Sequence, residues 1–388
     1  MPVVDILVNF FLSAIKQFCL TNQFPFLRLC LYPAGEHFAF CPTHDIDITR
    51  GVSIFRQFGL RIQALLFSIF FQTVKAKSII QLLNEQNNTA WNFPELLNLY
   101  KTNQLSGTFF FLARIREGIK LRYRISSKKF KDLFRLLQLN DHEIALHPSR
   151  YAFSHPGRYL QERKQLENKS GSEISGMRQH YLRALFPDLW QFSSNTALKY
   201  DASMGYNSQS GFRAGTCRPF PVFDYRRDQS YDVMEYPLFF FENSLPYGSS
   251  DSETRSKIID ELVTTTTKFN GILAPLLHPS NYSKPEYKQL WNSLIELLSG
   301  NKYFNARLEQ LTNWFHFRNS ITWDGNFVEE GVFIQQLSVL ATGYRFCIET
   351  PPGYQAEAKG AKITLLEANK FLIEPENVHF SITWIYGK

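Results

Sequence analysis

Four stretches of this chain carry side chains suited to hydrolysis. Thr43-His44-Asp45-Ile46-Asp47 sets two carboxylates two residues apart at the end of an apolar run. On an extended backbone such a pair points the same way. One acid can then hold a cation while the other takes a proton from water. His147 ends the run Glu143–Ser149, Arg178 and His180 share Glu173–Tyr181, and His278 ends Gly271–Pro279. Each has a plainer explanation. Asp-x-Asp is common in loops, and a lone histidine ending a buried strand is more often a hydrogen-bonded core residue than a ligand. Arg178 suits a buried ion pair with a carboxylate. Several such groups at the ends of different strands are harder to assign to packing.

The elements that would position these groups alternate. His37–Cys41, Ser106–Ala113, Glu143–Ser149, Glu173–Tyr181, Gly211–Cys217, Asp232–Phe240 and Gly271–Pro279 read as strands. Between them, helices are expected over residues 52–87, Pro94 to Tyr100, Ser126–Leu139, Gly157–Leu166, Asp188–Lys199 and Ser252–Lys268. Two more follow, at Tyr287–Ser299 and within Phe304–Phe315. This alternation predicts an α/β fold with parallel strands and helical crossovers. In a parallel barrel the ends that carry the polar groups share one rim. A doubly wound open sheet is the alternative, but the glycine-rich phosphate fingerprint after the first strand is missing. Residues 1–35 read as an N-terminal helical extension and 36–318 as the α/β unit. From 319 to 388 the segments turn short and alternating, which predicts a small C-terminal all-β domain, a sandwich.

Composition narrows the function classes. The chain has 388 residues, 44% of them hydrophobic, with 36 Phe and 18 Tyr, enough to bury a large core. A net charge of +7 without a long basic block excludes nucleic acid as the expected partner. Five scattered cysteines with no CxxC point to reduced thiols rather than a zinc knuckle or a disulfide framework. The apolar start carries Asp5 and lacks a basic leader region, so it reads as an amphipathic helix rather than a signal peptide, and a cytoplasmic location is expected. Ile62–Val74 is apolar but too short to span a bilayer. It reads as a buried helix, with peripheral membrane association left open.

The ordered motifs THDxD (Thr43–Asp47), WNF (Trp91–Phe93), TFFFLA (Thr108–Ala113), EIxLHxS (Glu143–Ser149), RQHYLR (Arg178–Arg183) and FRAGTC-PF (Phe212–Phe220), with a late histidine after Pro275-Leu276-Leu277, resemble the polysaccharide deacetylase (NodB-homology) superfamily, carbohydrate esterase family 4-like. The resemblance covers about residues 36–316. It implies a distorted (β/α)7 barrel and metal-dependent hydrolysis of N-acetyl groups on a sugar, polysaccharide or glycoconjugate. By position, Asp45 would be the general base, Asp47 and His147 ligands of a divalent metal, expected to be zinc, Arg178 the group orienting Asp45, and His278 the general acid. The family commonly has a second histidine four residues after the first, where this chain has Tyr151. His180 is the candidate third ligand, with His155 a poorer one. Tyr151, Arg213 and Trp91 are expected to line the substrate cleft. Asp201 would line it near Arg213 or cap a turn, while Glu162, Glu167 and Glu242 are assigned to solvated or supporting positions.

Two other readings stand beside this one. A carbohydrate-binding protein on a retired deacetylase barrel is suggested by Tyr151 in a ligand position. Hydrolysis of another C–N bond, such as a formamide, keeps the chemistry and changes the acyl group.

Overall fold

The computed structural model of the chain describes residues 1–49, 54–69, 75, 90–114, 116–117, 120–121, 123–245, 252–328, 331–337, 345–377 and 380–386. The helical reading of Ser78–Gln86 lies outside them, as do residues 70–74 of the expected run.

The centre is a mostly parallel sheet of eight strands. Its order is Phe220–Asp224, Gln229–Glu235, Tyr200–Asp201, Gly176–Met177, Glu143–His147, Thr108–Leu112, Thr43–Ile46 and Leu276–Leu277. The first pair is antiparallel and the rest are parallel. Thr108–Leu112 and Glu143–His147 are buried at every position, as strands covered on both faces must be. Helices pack on them through apolar residues three and four apart. In Lys128–Leu139 these are Phe130, Leu133, Phe134 and Leu137. Prolines occupy the first turns of Phe93–Thr102, Pro156–Ser170 and Pro285–Leu298, where no backbone N–H is needed.

Among the described residues, strand hydrogen bonding does not close the expected distorted (β/α)7 barrel. The sheet is open, and its far side meets Leu276–Leu277 through one isolated bridge, Phe241 to Leu276. A second parallel sheet of three strands, Ile272–Leu273, Phe38–Phe40 and Tyr303–Asn305, lies below it. Two prolines cause the division. Pro42 interrupts the first strand run and Pro275 the last, and the breaks are in register, with Leu273 beside Phe40 and Leu276 beside Thr43. The Pro275 carbonyl compensates by accepting both Thr43 N (3.1 Å) and Thr43 Oγ1 (2.7 Å).

Several sequence assignments shift. Glu173–Tyr181 is a strand only at Gly176–Met177, after which His180–Leu182 form a 3-10 turn. Gly211–Cys217 is a turn region rather than a strand. Beyond residue 320 the described strands form two antiparallel four-stranded sheets, one of which takes Phe26–Leu29 from the N-terminal stretch as its edge. Phe346, Ile348, Ile373, Phe380 and Ile382 share one apolar cluster between these sheets.

Candidate metal centre

Every group that converges on the site leaves the carboxyl end of a parallel strand. Asp45 lies within Thr43–Ile46 and Asp47 just past it, His147 ends Glu143–His147, Arg178 follows Gly176–Met177, and His278 follows Leu276–Leu277. Neighbouring parallel strands end side by side, so five positions spread over more than 230 residues meet at one rim.

Asp47 is the hub. Its Oδ1 lies 3.3 Å from His147 Nε2 and 3.3 Å from His180 Nε2, and its Oδ2 is 3.8 Å from His278 Nε2. One donor atom each from Asp47, His147 and His180 fall within 4.8 Å of one another. An ion bound tetrahedrally at roughly 2.0–2.2 Å spaces its ligand atoms about 3.4 Å apart, so these residues fit a divalent cation. Tautomer chemistry agrees. His147 Nδ1 is 2.6 Å from the Arg178 carbonyl, which can only accept. Nδ1 therefore carries a proton, which leaves Nε2 as the nitrogen that faces Asp47. Burial would push the Asp47 carboxyl up, but hydrogen bonds and charge from His147 and His180 outweigh it and hold the group well below the usual carboxylate range.

Asp45 stands beside this cluster, its Oδ2 3.8 Å from His147 Nε2. Arg178 fixes it. The fully buried guanidinium donates to Asp45 Oδ1 (3.0 Å), Thr43 Oγ1 (2.8 Å) and the Ala202 carbonyl (3.0 Å) and lies over the Phe110 ring. Across the cavity, Glu242 Oε1 lies 2.7 Å from His278 Nδ1 and accepts from His278 N (2.8 Å) and Asn281 Nδ2 (2.9 Å). Burial lowers the basicity of His278, yet the Glu242 bond and the charges of Glu242, Asp47 and Asp45 raise its pKa to about 9.

His180 reaches the cluster by an unusual backbone path. Tyr181 and Leu182 both adopt left-handed conformations, with φ of 60° and 50°. The Tyr181 ring stacks on His180 at 4.1 Å between centroids. Positive φ at bulky residues costs on the order of 1–3 kcal/mol each and persists where surrounding structure enforces it. Here it turns the His180 ring in toward Asp47.

These groups face a cavity of about 200 Å³ that is also lined by Tyr181, Leu182, Asn207, Phe241, Asn243 and Leu276. The three residues expected to line the cleft are elsewhere. Tyr151 opens the short turn before Ala152 and sits beside Arg150. Trp91 packs on Phe93 and Phe130 beneath Lys129. Arg213 is exposed and donates to the Gly205 carbonyl. Asp201 is fully buried, accepting from Ser203 N and Oγ, and does not reach the cavity. Glu162 is likewise buried, accepting from Ser149 N and Oγ, and His155 is exposed. Glu242 is the functional residue most underrated by sequence reasoning. Its signal was legible, since it ends the apolar run Pro237-Leu238-Phe239-Phe240-Phe241 as Asp45 and His278 end theirs.

The sequence matches no protein-family model and no curated protein. Its structure resembles that of a protein from Mycobacterium smegmatis whose name assigns it to the polysaccharide deacetylases, with a TM-score of 0.50 and 13% identity, over 75% of this chain and 96% of that one. A Pseudomonas aeruginosa PAO1 protein with the same assignment (TM-score 0.49, 14% identity, 73% and 92% covered) and Puue allantoinase (0.49, 12%, 74% and 92%) are similar in shape. At this identity the shared feature is the fold alone.

Proposed function

On the premise of that fold, we propose that the protein is a metal-dependent hydrolase that removes N-acetyl groups from a sugar, polysaccharide or glycoconjugate. The observation that carries the reading is the convergence of Asp45, Asp47, His147, His180 and His278 on one cavity. Asp47, His147 and His180 are the residues that would hold a divalent cation, with zinc favoured by the mixed nitrogen and oxygen donors. Such an ion would supply Lewis acidity toward the acyl carbonyl and lower the pKa of water. Asp45 takes the proton of the attacking water. Arg178 keeps that carboxylate aimed, because its guanidinium is itself fixed by Thr43 and Ala202. His278 delivers a proton to the departing amine nitrogen from Nε2, since Glu242 engages Nδ1. Leu276 and Phe241 give the cavity an apolar wall suited to an acetyl methyl, and Asn207 and Asn243 offer amides to sugar hydroxyls.

The test measures bound metal and acetate release from N-acetylhexosamine oligomers. A stoichiometric divalent metal, with acetate release lost in Asp45→Asn, supports the reading. Metal-free protein whose acetate release ignores Asp45→Asn would overturn it, and formate in place of acetate would reassign the acyl group.

A further inference from the structure

The helix Val3–Thr21 is inverted relative to a water-facing helix. Asp5, Asn9, Leu12, Lys16 and Cys19, which recur every three or four residues, are with Leu20 its buried or half-buried positions. This largely polar stripe is fastened to the body at both ends. Asp5, 2% exposed, accepts from Thr216 Oγ1 and from Cys217 N, each at 2.7 Å, and Val4 N donates to the Gly215 carbonyl. Lys16 pairs with Glu349. The opposite side holds Val4, Leu7, Phe10, Phe11, Ile15 and Phe18, with Phe10 and Phe18 each 67% exposed. At 3.6 residues per turn, the exposed apolar arc from Ile6 round to Val8 spans about 200°. Asp5 and Lys16 are the helix's charged residues, so the arc holds none. By length and composition the helix could cross a membrane, but its two fastenings lay it along the body.

We propose that this helix is a monotopic lipid anchor, lying in the plane of a bilayer with its apolar arc among the acyl chains. Three features favour lipid over a second protein chain. The arc is wider than a flat protein partner covers, whereas acyl chains close around it. It carries no charged residue, and its exposed polar groups are Gln17 and Thr21 near one edge, whereas protein interfaces carry a polar rim. The net charge of +7 draws the chain toward anionic lipid headgroups. A second described helix, Ile54–Ile69, likewise exposes Ile62, Leu65, Leu66 and Ile69 along one side. The placement has a geometric consequence. The Cys217 carbonyl beside Asp5 accepts from Ile272 N at 2.8 Å. This contact is at the entry of the strand run that delivers His278, roughly 20 Å along the chain. The anchor thus sits at the end of the strands away from the catalytic cavity and leaves that cavity to the aqueous side.

Flotation of the full chain with phosphatidylcholine vesicles, alone or mixed with phosphatidylglycerol, tests this, alongside light scattering without lipid. The protein is expected to float, more strongly with phosphatidylglycerol. Phe10→Ser, Phe11→Ser and Phe18→Ser together lower its partition coefficient on the order of a thousandfold. The melting temperature is unchanged, because the three rings are exposed. Failure of the unmodified chain to float overturns the proposal, as does a triple variant that floats equally well. So does a lipid-independent dimer that the three substitutions dissolve, since the occupant is then a second copy.

Discussion

The strand Thr43–Ile46 has two faces, and each handles a buried histidine differently. On one face His44 Nε2 is 2.6 Å from Tyr100 Oη, and its ring stacks on Phe109 at 4.7 Å, with Trp291 at 5.9 Å. Burial among these rings, with His142 nearby, drives its pKa well below the ordinary value, so the group stays neutral. On the other face, Asp45 and Asp47 meet His147, His180 and His278. There carboxylates oppose burial, and His278 is raised to about 9. Burial alone makes a histidine an uncharged packing piece, while burial beside carboxylates makes it a ligand or an acid. One residue of strand offset separates the two outcomes.

The largest effect that would break this contrast is at Asp47. Asp47→Ala is expected to abolish metal retention and to lower acetate release by at least about a thousandfold, with melting temperature nearly unchanged. Retained metal, read by elemental analysis, would remove Asp47 from the ligand set. Asp45→Asn is expected to keep the metal and to lose about 10²–10⁴ in kcat, which separates base from ligand on the same face. Arg178→Met leaves Asp45 buried without its cation and costs about 3–5 kcal/mol in chemical denaturation. A smaller loss would mean that water suffices to hold that carboxylate.

On the aromatic face the expected signature is the reverse, stability without chemistry. His44→Asn should cost a few kcal/mol, while metal content per folded molecule stays the same. A variant that folds but loses metal would erase the distinction between the faces. The smallest effect is a pH dependence. His142 packs against Tyr100, and burial depresses its pKa from 6.5 to about 4. The unfolded chain therefore takes up the proton first. The contribution to stability is full above about pH 6.5 and is lost as pH falls toward about 4, a change of about 3 kcal/mol, with His44 adding in the same sense. Denaturation midpoints across that range should fall less steeply in His142→Asn.

Much of the site was legible because its residues end apolar runs. Asp45, Asp47, His147, Arg178 and His278 all follow buried strands, and a parallel sheet must gather those ends. Tyr151, Arg213 and Trp91 do not line this cavity, because a motif's order along the chain does not say which way a loop turns. Glu242 was underrated although it ends an apolar run, because the sequence does not say that His278 lies against it. The split into two parallel sheets was not legible because Pro42 and Pro275 interrupt adjacent strands in register, a coincidence visible only once those strands are paired.

By itself the sequence determined the α/β alternation, the strands that end in polar groups and the separation of Asp45 from His44 onto opposite faces. Those properties follow from periodicity and from backbone geometry within a few residues. Tertiary structure decided that His180 joins Asp47 and that Tyr151 does not. The reason is the pair of left-handed residues at Tyr181 and Leu182, a local conformation unfavourable in isolation and held in place by the packing around it. It also decided that Arg178, 135 residues from the Thr43 hydroxyl that accepts from it, would brace Asp45 in the first motif.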